Sequence, residues 1–324
     1  MKPRSLNLMA LCLLLTLLLP GWGYSQEDVA KYPSRPINFV IALPPGAGLD
    51  LACRLICKSA EKYLGQPIVP INKPGGTFAI GTAAIASAKP DGYTIGSAGY
   101  PAMFVVSQIE KVPFHTLKDF KWIMQFGYMN FGVTVRKDSP FKTLKDVIDY
   151  ARKNPGKVIN GCGGIGGFGH ILMEQVAVRE GVKVTHMPFK GGPDTEKALL
   201  GGHISIMTGD VNYALLEAGE IRLLALLAET RSTDYPQTPI LKDLGYDIPA
   251  PTILMVSAPK GIPEGIAKKL EDAFTQAMKE PEFIRGMKNI RFTVVHRNSK
   301  ELEDYVSYNY EAFTKLLKEM GLSK

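Results

Sequence analysis

The chain has 324 residues and a formal net charge of +7. That length favours about two domains, each large enough to bury its own core. Lysines and arginines are mixed with acids throughout and form no basic stripe interleaved with aromatics, which argues against a nucleic-acid partner.

Met1–Ser25 reads as a cleavable export signal. Lys2 and Arg4 make a positive start, Met9–Leu19 an apolar core, and Gly23-Tyr24-Ser25 a small-residue cleavage site. The core is shorter than the roughly 20 apolar residues a membrane span needs, and no later stretch qualifies. The mature chain is therefore expected to be soluble and exported, without stable membrane insertion. Cys12 lies inside the apolar core with more apolar residues after it, which argues against lipid attachment. Cleavage leaves 299 residues (324 less 25) and, because Lys2 and Arg4 are the signal's only charges, a net charge of +5. A mild positive field suits an anionic small molecule, although solubility explains it equally well.

Ile37–Asp50 is the most informative stretch. Ile37, Phe39, Val40, Ile41 and Leu43 read as a buried parallel strand. Pro44-Pro45-Gly46-Ala47-Gly48 then turns the chain into a helix whose core face carries Leu49, Ala52, Cys53, Ile56 and Ala60, with Gly65 and Pro67 as stop signals. A glycine turn from strand to helix leaves backbone N–H groups free at a helix N-terminus, where an anion gains roughly 0.3–1 kcal/mol when exposed and up to about 2 when partly buried. Gly46, Ala47 and Gly48 carry no bulk that would keep a ligand off the backbone. A tight turn with no ligand explains the same residues. Cys53 and Cys57 sit four apart on this helix with no histidine near, and read as small buried residues rather than metal ligands or a disulfide.

Ile68–Ile71 is a second strand, Asn72–Gly76 a turn, Ala79–Ala88 a helix, and Tyr93–Gly96 a third strand. Ser97, just past that strand's carboxyl end, is a candidate contact, since ligands in open α/β sheets sit outside those ends. Val112–Phe120 reads as a loop and Trp122–Val135 as one long strand able to cross between domains. Thr143 and Asp146 open a helix as a capping box. After the strand Val158–Asn160, six glycines lie between Asn160 and His170. Gly161, Gly163 and Gly166 satisfy G-x-G-x-x-G, but the strand Val182–Met187 ends in Pro188-Phe189-Lys190-Gly191 without the ribose-binding acid of a dinucleotide site. What survives is a second backbone cradle opening a helix, with His170 either donating to an anion or capping its own loop.

Further on, Asp194–Leu200 is a helix, His203–Met207 a strand, Val211–Gly219 a helix and Leu223–Ala228 a strand. Thr230–Pro251 is rich in turn residues, and Ile253–Ser257 is a strand and a candidate second crossing. Pro263 opens a helix with Ile266, Leu270 and Phe274 inward. A last helix after Ser299 buries Leu302, Val306, Phe313 and Leu317 among others. Helices alternate with strands, which argues a doubly wound α/β architecture. No nucleophile elbow, paired carboxylates or metal-spaced histidines accompany the glycine loops, so no catalytic set, metal or cofactor is expected, and a binder fits better than an enzyme.

Tyr32-Pro33-Ser34-Arg35-Pro36-Ile37 followed by Pro44–Asp50 resembles the opening of the Bug-type substrate-binding proteins of tripartite tricarboxylate transporters. Asn72-Lys73-Pro74-Gly75, Lys89–Thr94, Lys118-Asp119-Phe120, Gly161–His170, His186–Gly191, Gly201-Gly202 and Ala258-Pro259 continue the match in order across the mature chain. The resemblance implies a type II periplasmic binding protein fold: two α/β domains, each a doubly wound sheet, joined by two crossing strands. The corresponding division is 1–25 signal peptide, 26–129 plus 252–324 first domain, and 130–251 second domain. It implies capture of a small carboxylate by backbone amides in the cleft and delivery to membrane permease subunits. The family's binding loops fall on Pro45, Gly46, Ala47, Gly48 and Asp50; on Ser97; on Cys162, Gly163, Gly164, Gly166 and His170; and on Phe189 and Lys190. Ala47 stands where the family usually has glycine, and Ser205 where it usually has aspartate. If Ser205 contacts ligand, a carboxylate without an amine is expected; a purely structural serine fits as well. Asp210, five residues on, would face the opposite side of a continuing strand. A solute sensor docking onto a signalling partner, or an exported α/β enzyme, are the competing readings.

Overall fold

The computed structural model describes residues 29–164, 166–229, 231–232, 234–248 and 252–322. The export signal lies outside them. In chain order the first strands are β1 (Ile37–Ile41), β2 (Ile68–Asn72), β3 (Thr94–Ser97), β4 (Phe120–Tyr128) and β5 (Phe131–Arg136). They are followed by β6 (Val158–Cys162), β7 (Val184–Pro188), β8 (Ile206–Asp210), β9 (Ile221–Leu227) and β10 (Ile253–Pro259). Two five-stranded sheets result, ordered β2-β1-β3-β10-β4 and β7-β6-β8-β5-β9. Within each, four strands run in one direction and the strand next to the last, β10 in the first sheet and β5 in the second, lies antiparallel between its neighbours.

The helices follow from their sequence signals. α1 (Gly48–Leu64) buries Leu49, Ala52, Cys53, Ile56 and Ala60 and ends at Gly65 in the left-handed conformation. α2 is Ala79–Ala86. Thr143 and Asp146 form the expected capping box on α3 (Leu144–Lys153). α4 (Phe168–Glu180), α5 (Gly192–Leu200) and α6 (Tyr213–Glu217) belong to the second sheet's half. α7 (Glu264–Ala277), α8 (Pro281–Asn289) and α9 (Ser299–Glu319) return to the first. α9 starts with a second capping box, Asn298 with Glu301. Aromatic pairs join these helices to the first half: Phe39 with Phe274 and Phe104 with Phe313, at ring separations of 6.2 and 5.8 Å. A buried π-helical turn at Ala102–Val106 is additional to the elements expected from the sequence.

Two expectations need correction. Trp122–Val135 is not one strand but β4 in the first sheet and β5 in the second, broken at Met129-Asn130. There the Asn130 amide donates to Arg291 O at 2.5 Å and receives the Thr293 hydroxyl at 3.2 Å, while Met129 N–H turns to Thr252 O. Ile253–Ser257 does not cross either: β10 lies wholly in the first sheet, and the chain returns between Leu227 and Ile253. Beside these passages the Glu229 carboxylate accepts from the Tyr128 and Tyr305 hydroxyls and pairs with Arg297 at 3.4 Å. The Arg297 guanidinium lies 4.1 Å over the Tyr305 ring.

Gly96 in β3 faces Val40 so closely that an added Cβ would stand 2.3 Å from Val40 O. Gly96→Ala is expected to destabilise the chain by about 2–3 kcal/mol or more, because the obstructing atom is sheet backbone. Urea unfolding of variant and wild type measures it.

Candidate functional site

β1, β6 and β7 each hand the chain into a helix at their carboxyl end. The N-cap residues are Ala47 for α1, Gly167 for α4 and Gly191 for α5, and none makes a side-chain cap. Among the described residues, no side chain receives the first-turn N–H groups of these helices, so each start presents free donors and the positive end of a helix dipole.

In the first loop Asp50 sets the shape. It is 1% exposed and accepts from Gly46 N–H at 2.9 Å, from the Asn72 amide at 2.8 Å and from Arg54 Nε at 3.0 Å. The Asn72 amide also reaches Leu43 O at 2.8 Å, tying the loops after β1 and β2 together. Burial pushes the Asp50 carboxyl up, but the bonds from Arg54, Asn72 and Gly46 outweigh it and hold it below its ordinary value. Asp50 is thus spent on the loop. Gly48 lies under the Phe292 ring: an added Cβ would be 2.6 Å from its tip. Ser97 is fully buried, its hydroxyl turned towards the Cys53 thiol without a normally shaped hydrogen bond.

The second loop is held in the same way. Gly166 N–H donates to His170 Nδ1 at 3.1 Å, so the His170 ring caps its own loop. Burial, and then the neighbouring His186 ring 4.5 Å away, lower the His170 pKa to about 4. His186 in turn bonds Glu174 at 2.7 Å and Asn160 at 3.1 Å. Gly169 has no room for a side chain, since an added Cβ would be 2.2 Å from Thr208 O. The buried Cys162 thiol sits 3.8 Å from Gly164 O, and burial pushes its pKa up to about 11. Gly163 is exposed, with nothing within 4 Å of an added Cβ. In the third loop Phe189 N–H donates to Cys162 O at 2.8 Å and the ring packs on the cluster of Leu199, Ile204 and Met207, while Lys190 is exposed.

The loops of the two sheets meet. A Cβ on Gly164 would be 3.7 Å from Thr77 Oγ1, and one on Gly166 3.5 Å from Ile109 Cδ1. Tyr100, just past Ser97, packs edge-on against Phe168 at 5.2 Å and Phe131 at 6.1 Å. Thr77 and Phe78 hold φ of 47° and 73°, a left-handed pair outside glycine that stores strain beside this contact.

Ser205 is not brought to this group. The strand begins at Ile206, and Ser205 precedes it at the amino-terminal end, where its hydroxyl accepts from Ile159 N–H at 3.1 Å. The carboxyl end of β8 is Asp210 instead, which sequence reasoning had turned away. Its side chain is exposed, and crowding by the surrounding protein pushes its pKa up to about 6. Tyr100, Thr77, Phe292 and Asp210 were missed. A strand placed three residues later would have found Asp210, and Gly75-Gly76 ahead of Thr77 was the signal for the strained turn.

The sequence model described as "Tripartite tricarboxylate transporter family receptor" matches residues 52–322. The UPF0065 protein in gbd 5'region of Cupriavidus necator is 33% identical over 301 residues, 93% of this chain and 92% of the relative. Protein BugT of Bordetella pertussis is 26% identical over 295 residues, 90% of each. The solved periplasmic binding protein BugD superposes with a TM-score of 0.79 at 26% identity, covering 90% of this chain and 100% of BugD. Among the described residues no helix is long and apolar enough to cross a membrane.

His170 makes the fold acid-sensitive. Its neutral form is favoured when folded, so its contribution is intact above pH 6.5 and is lost as pH falls towards about 4. Asp210, shifted upwards, acts in the opposite sense below pH 6, so the His170 effect is read by difference. The stability gap between wild type and His170→Gln should shrink by on the order of 1–3 kcal/mol between pH 7 and pH 4, allowing for solvent screening. Chemical unfolding at stepped pH measures it.

Proposed function

This chain belongs to the tripartite tricarboxylate transporter receptor family, and we propose on that premise that it is a periplasmic solute receptor. It captures a small carboxylate between the two sheets and delivers it to the membrane permease subunits of a tripartite transporter. The observation that carries this reading is the set of three helix starts without side-chain caps, drawn from both sheets at the carboxyl ends of β1, β6 and β7. An oxyanion is the group such donors receive best. The backbone of Gly46, Ala47 and Gly48 on one side and of Gly163, Gly164 and Gly192 on the other forms the contact surface. Asp50 and His170 act behind it, holding the two loops in shape. Binding and release need no bond to be made or broken, and the chain works without catalysis or cofactor.

The periplasmic binding protein BugD shares the fold at 26% identity, which supports the same compartment for this chain. Export then runs through cleavage after Ser25, the reading of Lys2, Arg4 and the apolar core.

Two measurements test this. A bound carboxylate at a hundredfold excess over its Kd should stabilise folding by about 2.7 kcal/mol. Gly163→Ala should leave stability within about 0.5 kcal/mol, because its Cβ meets nothing within 4 Å. It should nevertheless weaken carboxylate binding by about tenfold or more, since that Cβ stands over the contact backbone. Calorimetry with a panel of mono-, di- and tricarboxylates reads both; no binding by any member would sink the proposal. For export, intact mass of the periplasmic protein should equal residues 26–324, and a lipid retained on Cys12 would contradict the signal reading.

A further inference from the structure

We infer that the turn Arg291-Phe292 is a latch between the two halves of the chain, with Arg291 a positioning residue that holds the halves closed over the glycine loops. Arg291 thereby sets the strength of ligand capture without touching the ligand. The latch goes beyond the receptor reading above, and only its effect on affinity rests on that reading.

Arg291 follows α8 and belongs to the first half. Among the described residues it is one of three outside glycine with left-handed backbone, at φ 58°. Such strain persists only where surrounding contacts impose it, and here three sets do. The Arg291 carbonyl accepts from the Asn130 amide at the break between β4 and β5, and Thr293 exchanges backbone bonds of 2.8 and 3.1 Å with Tyr128. The Arg291 guanidinium crosses to the second half, where it reaches Glu217 of α6 at 2.5 Å and Asp234 at 3.5 Å. Glu217 also accepts from the Tyr235 hydroxyl at 3.2 Å, and the Tyr235 ring stacks on Tyr213 at 5.2 Å. Phe292, the next residue, roofs Gly48 at the start of α1 so closely that a Cβ there would clash.

One strained turn therefore touches the break between the sheets, the wall of the second half and the first glycine loop. The Arg297–Glu229 pair lies at the passages themselves, where a swing of one half about the other moves atoms least. The Arg291 guanidinium instead reaches away from the break to Glu217, so its pairs form only with the halves together. Arg291 is about one-third exposed and its two partners about half, and pairs so exposed are individually weak and sensitive to salt. That suits a latch, which must bias two arrangements without freezing either. A ligand that rests on loops of both halves binds the closed arrangement, so its apparent affinity scales with the closed fraction.

The test takes the mature chain, freed of bound small molecules by unfolding, dialysis and refolding, and measures its radius of gyration by small-angle scattering. Arg291→Glu should be wider than wild type, and the exchange Arg291→Glu with Glu217→Arg should return the radius towards that of wild type. Raising sodium chloride to about 0.5 M should widen wild type and leave Arg291→Gly unchanged. Arg291→Gly separates latching from a merely structural role, since glycine adopts this backbone freely. Its urea midpoint should hold or rise. In calorimetry with acetate, succinate and citrate, any member that binds should bind Arg291→Gly about three- to tenfold more weakly than wild type, the scale of exposed ion pairs. Equal radii for wild type and Arg291→Glu, no recovery in the exchange, or a binding carboxylate unaffected by Arg291→Gly overturns the inference and leaves the receptor reading standing. A lowered midpoint in Arg291→Gly at unchanged radius also overturns it, in favour of a structural role. Binding of no carboxylate at all counts against the receptor reading, and the scattering then decides the latch alone.

Discussion

Backbone N–H groups at the start of a helix must be received by something, and this chain withholds the usual receiver at the three helix starts that follow β1, β6 and β7, as it also does at α2, α7 and α8. Serine, threonine, aspartate or asparagine at the N-cap would satisfy them locally; Ala47, Gly167 and Gly191 do not. The loops therefore carry open donor sets whose shape must be fixed from behind. Asp50 does this in the first half and His170 in the second, each accepting a glycine N–H four residues earlier, Gly46 and Gly166. A charged acceptor serves one loop and a neutral ring the other. The equivalence is geometric, and the electrostatic difference leaves the second loop the one that responds to acid.

Much of this was legible because strand, turn and helix signals agreed. In the first helix the apolar spacing, the Gly65 stop and the preceding buried run all pointed to one arrangement, and the structure has it. The direction of individual side chains was not legible. Ser97 stands at the carboxyl end of a strand, yet its hydroxyl turns inward towards Cys53, because alternation along a strand sends neighbouring residues to opposite faces. The strand at residues 203–207 was placed too early for a similar reason. Ile204, Ile206 and Met207 make an apolar pattern, whereas Thr208-Gly209-Asp210 looks like a turn. Pairing with Gly132 and Phe131 carries the strand on, and Asn160 and Gly169 provide acceptors for the Thr208 hydroxyl. Those partners lie 39 or more residues away in the chain, beyond the reach of local pattern.

The break at Met129-Asn130 was hidden for a different reason. Trp122 to Val135 is apolar and β-rich on both sides, and nothing local interrupts it except Asn130. The stop is imposed by Arg291, Thr293 and Thr252, which take up the backbone and side-chain bonding at the break. Nearby, Glu229 gathers Tyr128, Tyr305 and Arg297. Chain entering and chain leaving the second sheet are thus held by one polar cluster.

The interleaving of the two sheets along the chain bears on the order in which the fold can form. β10 lies between β3 and β4, so the middle of the first sheet stays unfilled until residues 253–259 are available. Ser257 closes onto Gly96, whose carbonyl it also bonds, across 161 residues. A chain synthesised from its amino terminus cannot finish its first half before the second has been made. Long-range pairing of this kind is slow to form. The first sheet therefore closes only when the carboxyl-terminal part of the chain arrives.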